Sequence, residues 1–547
     1  MKKITSILSV CLIFILFQTS CKRSPVEDIR INVNTDLYNS PILLRFVNAN
    51  QNSTAKPDNF IVKITGKDAS FIVTSEGKTT FNAMGGLLTL AVNSKTIATA
   101  ANPIKFTIST QIAGFMPVIR DIIVTSNEPL QTTISLLELS NPIAGVSIVS
   151  NQVNLSNGVF DNTYVITTPT RNEMKESTKL QIPAGTKILD KNGNVISGSS
   201  ISTDVTFFGT GTDESLKTFP GGLSPQNVIG KDGAVITGGI NFVTAGMLSI
   251  NMTSNGSEVK SFSNPIAATV ELNPSQDNFA TGLPIKAGDS IPVWSMDETT
   301  GQWKYESQAI VNSVAGKLVA NFAITHLSGW NLDWGWSMFG NYNSCSSSLQ
   351  VKTLTTAQGG NYEITLKTPS GNYLGALHGT SIYNGFIANF TSTPNIANAK
   401  IVVSDNNTGS IVGETPLFNP CTKGSIDVVV TGPPTPDYVN VNVTVQGICK
   451  NKQVNANIGA WFYLYIPNNN FWFQGFYTQP GGSTNLRLEN NKTYVLFTYY
   501  DGKYYSVNIP LSKTNFIMPS VSGLSGTASY NPNTNTLTVN GVFEVNC

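Results

Sequence analysis

The sequence predicts an all-β chain of several tandem β-sandwich domains, Ig-like or transthyretin-like, and three observations carry that reading. Apolar and polar residues alternate at period two in segment after segment, as in Phe60-Ile61-Val62-Lys63-Ile64, the signature of half-buried strands. Gly and Pro, 46 and 27 of them, punctuate nearly every gap between those segments. Only 12% of the residues are charged, about half the ~25% of an ordinary globular chain, while 40% are hydrophobic. Asn, Ser, Thr and Gly therefore supply the surface, a composition typical of exported β-proteins. A length of 547 residues allows roughly three to five domains.

The N-terminus points to export. Lys2 and Lys3 precede an apolar run from Ile7 to Phe17, the length of a signal-peptide core and short of a membrane span. Phe17-Gln18-Thr19-Ser20-Cys21 follows, with small residues before a Cys, and resembles a bacterial lipobox of the Bacteroidetes type, although Gln18 stands where Leu is usual. The resemblance implies a signal peptide over 1–21 and a lipidated Cys21 as the first mature residue, held by several acyl chains at ~0.8 kcal/mol per buried CH₂. Residues 22–30 then read as a polar tether. Beyond it the four cysteines, Cys345, Cys421, Cys449 and Cys547, are an even set that suits two disulfides in an oxidising compartment. Three connectivities are open. Cys345 with Cys421 and Cys449 with Cys547 is favoured, because each pair brackets one C-terminal domain. A metal site is the competing reading, but no Cys-x-x-Cys is present and His326 and His378 are the only histidines.

Residues 31–140 carry Leu87 to Val92, then Ile104-Lys105-Phe106-Thr107-Ile108, Ala113-Gly114-Phe115, Ile119 to Val124 and Thr133 to Leu137. This order of strand, Gly-aromatic pair, strand and Leu-ended strand resembles the carboxypeptidase regulatory-like domain. That resemblance implies a seven-stranded sandwich serving as a spacer or accessory module.

Residues 141–336 form the central module, and their last part organises the chain. Pro292-Val293-Trp294 leads through Asp297-Glu298-Thr299-Thr300-Gly301 to Trp303, which reads as a β-hairpin with Gly301 at positive φ and Trp294 paired across from Trp303. Five of the seven Trp lie between Pro292 and Trp336, and each ring buries roughly 150–250 Å². The pattern P-x-W-x-x-D-E-x-T-G-x-W, followed by His326-Leu327-Ser328-Gly329-Trp330-Asn331-Leu332-Asp333, resembles the extracellular module of the astroprincin family and cartilage intermediate layer protein. Leu180-Gln181-Ile182-Pro183-Ala184-Gly185-Thr186 and Phe219-Pro220-Gly221 match its earlier landmarks in the same order. The resemblance implies structural roles for Pro183, Gly185, Trp294, Asp297, Gly301, Trp303, His326, Trp330, Asn331 and Asp333, and no enzymatic activity.

Strands are expected at Val146 to Val153, Tyr164 to Ile166, Lys179 to Ile182, Thr203 to Phe208, Ala234 to Phe242, Gly246 to Met252 and Thr269 to Leu272. One short helix is expected at Glu173 to Lys179. His326 with Ser328, Asn331 and Asp333 invites a catalytic reading, and on an extended segment His326 and Ser328 share a face. A hydrolase needs in addition an activated nucleophile, an orienting acid and an oxyanion hole, and no Gly-x-Ser-x-Gly accompanies them. A structural His is the reading adopted. Asp190-Lys191-Asn192-Gly193-Asn194 lacks the alternating acids and closing Glu of a calcium loop and reads as a turn.

Residues 337–348 read as a linker and 349–430 as a third β-domain, closed by the stiff run Gly432-Pro433-Pro434-Thr435-Pro436. Residues 431–547 form a last, aromatic-rich β-sandwich. Its rings divide between core and surface, and Trp461, Trp472 and Tyr477 are its ligand-binding candidates if exposed. A net charge of +1, from 34 basic and 33 acidic residues, gives no long-range field for nucleic acid. No cofactor is called for. The expected function is a non-catalytic outer-membrane lipoprotein of the cell envelope, surface-exposed, offering its modules for adhesion or ligand binding. Its partners are the membrane, through the anchor, and a glycan or extracellular protein. The alternatives are a carbohydrate-binding surface lipoprotein and, from another class, a secreted hydrolase with a site not visible in the sequence.

Overall fold

A computed structural model of the chain describes residues 31–545 except 35–37, 338–341, 346, 356–361, 381, 383, 406–409, 432–436, 450–451, 453, 458, 468, 480, 501–502 and 522. The described chain is almost entirely β-structure. It divides into two compact units. Of the described residues, one comprises those of 38–438 with 463–475, the other those of 31–34, 439–462 and 476–545.

The larger unit begins with a sandwich. Strands Leu130–Leu136, Asn39–Asn48, Leu87–Val92 and Ile72–Thr74 form one sheet in that order, and Lys63–Thr65, Ile104–Thr110 and Val118–Val124 form the other. Period-two alternation sends Ile42, Leu44, Leu88, Leu90, Phe106, Ile108 and Ile122 into one shared core. The Gly114-Phe115 pair closes it, since Phe115 is buried there while Gly114 takes φ +82° in the preceding turn.

A 13-stranded sheet follows, running from Val146–Asn154 through Ser200–Phe208, Asn241–Ser254, Gly329–Trp336, Ser290–Met296, Trp303–Val314, Lys317–His326, Ser261–Glu271 and Thr178–Ile182 to Tyr164–Thr167. Its two halves curl over a single apolar filling, to which Val205, Ile250 and Leu332 contribute from one half and Leu180, Ala268 and Ile324 from the other. Strand Gly329–Trp336 lies in the middle, paired with Asn241–Ser254 on one side and Ser290–Met296 on the other. All eight of its residues are buried.

Three expectations for this region need correction. Glu173 to Lys179 is not helical: strand Thr178–Ile182 begins inside it, and residues 173–177 form no regular element. Among the described residues α-helices lie instead at Asp213–Thr218, capped by the Thr212 side chain accepting from Ser215 N, and at Pro420–Lys423, capped by Asn419. Both start with a capping residue that a period-two reading passes over. Residues 234–240 of the strand expected at Ala234 to Phe242 form no strand, and Asn241 and Phe242 run on through Gly246 to Met252 as one strand, Asn241–Ser254, with a β-bulge between Thr244 and Gly246. Here Gly marks a bulge within a strand rather than its end.

Residues 349–430 are also not an independent bead behind a linker. Their two sheets, of three and four strands, place Leu349, Val351, Ile364, Leu366, Ile401, Val403 and Val428 in the same continuous core as the central sheet. Ser337, at the start of the expected linker, is buried, and Ser344–Cys345 is a short strand. Trp336 Nε1 donates to Leu374 O at 2.8 Å, Lys217 pairs with Glu363 at 2.8 Å and Lys367 with Asp213 at 3.1 Å.

In the other unit, strands Ile31–Asn34, Val454–Asn457, Tyr438–Cys449, Thr536–Val545, Leu524–Asn531 and Phe516–Val521 form one sheet in that order, with Thr484–Glu489 also paired to Tyr438–Cys449. Residues 31–34, expected in the first sandwich, therefore belong to the C-terminal sheet, paired in parallel with Val454–Asn457. Thr493–Tyr500 and Lys503–Pro510 form a hairpin, and Val441, Val443, Leu486, Tyr494, Val507, Leu537 and Val539 are buried. No helix among the described residues is long and apolar enough to cross a membrane.

Candidate functional site

The residues singled out in the sequence converge on strand Gly329–Trp336 and its neighbours. Side chains two apart share a face, so Trp330, Leu332, Trp334 and Trp336 enter the large core while Asn331 and Asp333 turn the other way. That second side is filled by Phe219, Phe242, Met247, Trp294, Met296 and Trp303, joined by Met116, Ile119 and Leu137 of the first sandwich. Trp294 Nε1 donates to Asp333 O at 2.9 Å.

The hairpin differs from the expected pairing. Trp303 stands opposite Met296 and Trp294 opposite Tyr305, with a bulge between Val293 and Trp294. The two indoles meet through a third ring, since Phe242 lies 5.4 Å from Trp294 and 5.0 Å from Trp303. The loop length sets this register. Asp297 N donates to Gln302 O and Gly301 N to Asp297 O, both at 2.8 Å, and Asp297 Oδ1 accepts from Thr299 N and Thr300 N. Gly301 takes φ +71°. Asp297 thus closes the turn with its own carboxylate. Pro183 and Gly185 likewise build a turn, in which Thr186 N donates to Pro183 O and Gly185, at φ +78°, donates to Phe160 O at 2.7 Å.

His326 is brought beside two polar partners. Its Nε2 lies 3.5 Å from Glu306 Oε1 and its Nδ1 3.4 Å from Ser328 Oγ, while its ring lies 4.9 Å from the Trp330 ring. Ser295 Oγ donates to the same Glu306 oxygen at 2.9 Å. Burial works to raise the Glu306 carboxyl, but hydrogen bonds from His326 and Ser295 and the charge of Lys304 outweigh it and hold it below its ordinary value. Glu306 and Ser295 were not singled out in the sequence; Ser295 is buried, and Glu306 is the residue that the bulge at Val293 and Trp294 leaves out of the strand pairing. The order Ser328, His326, Glu306 has the composition of a hydrolytic triad but not its geometry. Ser328 Oγ is buried and donates to Gly329 O at 3.2 Å, so its hydroxyl hydrogen is directed at a backbone carbonyl rather than at the imidazole 3.4 Å away. The cluster fixes the Trp330 ring against the strand.

Asp333 is the electrostatic exception. It is fully buried, and desolvation pushes its carboxyl up to about 8, only partly offset by Thr244 and Asn331. Neither carboxylate oxygen has a hydrogen-bond partner of normal geometry, nor do the Asn331 amide atoms or Trp330 Nε1. At neutral pH the group is therefore mostly the neutral acid. A shallow, partly open pocket of about 10 Å³, lined by Thr210, Leu216, Leu223, Thr244, Gln276, Asn372 and Tyr373, adjoins Thr244 and has room for one water. Among the described residues no three His, Cys, Asp or Glu side chains gather as metal ligands.

In the C-terminal unit Trp461 is buried, with its ring 5.7 Å from half-buried Tyr477. It is therefore packing and not an exposed platform, because its strand turns this ring inward. The side chain of Trp472 lies outside the described residues, as do Cys21 and Cys547. Cys345 and Cys421 form a disulfide, and Cys449 is also disulfide-bonded. His378 lies on strand Tyr373–Thr380.

No protein-family model and no curated protein matches this chain. Among solved structures, GBS52, the minor pilin of Streptococcus agalactiae, is 10% identical with a TM-score of 0.13 and covers 36% of this chain and 96% of its own. The Bacillus anthracis TIE protein is 11% identical, with a TM-score of 0.13, over 90% of this chain and 75% of that one. SpaC, a pilus adhesin from Lactobacillus rhamnosus GG, is 10% identical, with a TM-score of 0.16, over 89% and 56%. These scores lie far below those of a shared fold, and the functional reading rests on the chain's own residues.

Proposed function

We propose that this chain is a non-catalytic lipoprotein of the bacterial cell envelope, anchored at Cys21, which presents β-sandwich surfaces for adhesion or ligand binding outside the cell. The observation that supports it most directly is the Cys345–Cys421 disulfide in an almost wholly β chain whose N-terminus has a lipobox-like Cys. Such a bond persists in an oxidising compartment. The polar groups of the central module support the non-catalytic part of the reading, since His326, Ser328 and Glu306 serve packing and Asp297 closes a turn. The buried Trp461 removes one support from glycan capture by the last domain.

The test is metabolic labelling with a clickable fatty acid in wild type and Cys21→Ala, combined with protease shaving of intact cells. Label that depends on Cys21 and shaving that removes the protein support the reading. Label that persists in Cys21→Ala, or turnover of a defined substrate by the purified chain, sinks it.

A further inference from the structure

The first described strand after the anchor does not enter the sandwich that follows it in sequence. Ile31–Asn34 pairs in parallel with Val454–Asn457, so Ile31 stands opposite Val454 and Asn34 opposite Asn457. Val454 in turn stands opposite Cys449 at the end of the long strand Tyr438–Cys449, where Lys452 N donates to Cys449 O at 3.3 Å and closes the turn. The opposite end of that strand is marked by Asn440, whose N–H donates to Asn535 O at 3.1 Å in the exposed turn between the last two strands. Tyr438–Cys449 has 12 residues, so at ~3.3 Å per residue the two ends lie roughly 35–40 Å apart.

Only residues 22–30 separate Cys21 from Ile31. Ten chain steps reach at most ~36 Å when fully extended, and a flexible chain of that length averages ~18 Å. The tether is thus no longer than the strand whose near end it serves. We propose that the C-terminal unit docks at the membrane, with its Lys452 end toward the bilayer and its Asn533 end away from it. This rests on the lipidation of Cys21 proposed above. The chain order is misleading here: the N-terminal strand is an edge piece of a C-terminal sheet, and residues 38–438 are an insertion between that strand and the rest of its own unit. Inserted domains of this kind are tolerated where both ends leave one scaffold.

The test places a small fluorophore, through an azide-bearing amino acid, at exposed Lys452 or exposed Asn533 of the natively lipidated chain. The protein is then reconstituted into phosphatidylcholine vesicles carrying nitroxide-headgroup lipid, and acylation of Cys21 is read by mass from the N-terminal peptide. Quenching at 452 with none at 533 is the expected result. Equal quenching at both sites, or stronger quenching at 533, overturns the docking geometry when Cys21 carries its acyl mass. A chain with no acyl mass at Cys21 overturns the anchor itself, and the docking with it. Asn32→Pro with Val33→Pro removes the ladder whichever amides donate and is expected to abolish the quenching at 452 while the acyl mass stays. A flexible Gly-Ser insertion between Arg30 and Ile31, which leaves the strand intact, is expected to do the same. Quenching that survives that insertion in a folded chain overturns the proposal.

Discussion

Replacing Asp333 with Asn tests the reading of the closing strand most sharply, because the two side chains match in shape and differ in titration. The carboxyl is pushed up to about 8 in the fold from an ordinary 3.8, with desolvation the first cause. Below about pH 4 it is protonated in both folded and unfolded chains, so its titration leaves the stability unchanged. Between about pH 4 and pH 8 the unfolded chain releases a proton that the folded chain keeps, so the stability present at low pH is lost at about 1.4 kcal/mol per pH unit. Over the whole window the loss is on the order of 6 kcal/mol. Asp333→Asn has no proton to release, and its unpaired amide costs about the same 1–3 kcal/mol at every pH. Urea denaturation of both proteins at about pH 4.5, 6 and 7.5, followed by tryptophan fluorescence, is expected to show the variant gaining about 4 kcal/mol on the wild type across that range. The difference between the proteins is the readout because Glu298, pushed up to about 7 by burial and by Glu258 and Asp297, against Lys260, titrates over the same range in both. A difference that does not change with pH would refute the claim that Asp333 is buried as a neutral acid.

Four further outcomes are expected. Cys345→Ala with Cys421→Ala opens a loop spanning 76 residues and should cost about 4 kcal/mol by chain entropy; an unchanged urea midpoint would show that the bond adds no stability. His326→Phe keeps the ring against Trp330 and loses the polar contacts to Glu306 and Ser328, for a cost of about 1 kcal/mol; a loss above about 3 kcal/mol would mean that the ring nitrogens matter more than the packing. Gly301→Ala forces φ +71° on an L-residue and brings a Cβ to 3.0 Å from Ile119 Cδ1, so about 1–2 kcal/mol should be lost; no loss in thermal unfolding would mean the loop relaxes freely. Trp294→Phe keeps a large ring but leaves Asp333 O without its indole donor, and should cost about 1–3 kcal/mol with faster amide exchange across 329–336; unchanged exchange there would exclude a role for the bond in holding the strand.

What the sequence made legible follows from where its signals are local. Period two marks a half-buried strand, so Val146–Asn154, Thr178–Ile182 and Ser200–Phe208 were readable to within a few residues. The turns at Gly185 and Gly301 were readable because positive φ selects Gly. Bulges were not: Gly246 looks in sequence like a strand end, and only the pairing of Asn241–Ser254 with Gly329–Trp336 shows that the strand continues. The contact of Glu306 with His326 depends on the bulge at Val293, which shifts the hairpin by one residue, and no composition reveals that shift. The fusion of 349–430 with the central core was hidden for the same reason. Ile364, Leu366 and Ile401 declare that they are buried but not against what.

The closing strand shows why polar groups are placed where they cost most. In a strand with one wet face, a slip by one residue exposes the apolar set, and alternation alone fixes the register. Gly329–Trp336 has no wet face, so hydrophobicity does not distinguish its two registers. Directional bonds do. Trp294 Nε1 reaches Asp333 O from one side and Trp336 Nε1 reaches Leu374 O on the other, and a slipped strand would break both while carrying Trp330 and Trp334 toward the side that Phe242 and Trp303 already fill. Asn331 and Asp333 act in the same direction, since a slip would carry them into the larger core among Leu332, Trp334 and Trp336 and their neighbours. The acid held neutral at about 8 is the cost of a strand that fits in one register only. A strand fixed in that way suits a protein read as a rigid support for surfaces displayed elsewhere on the chain.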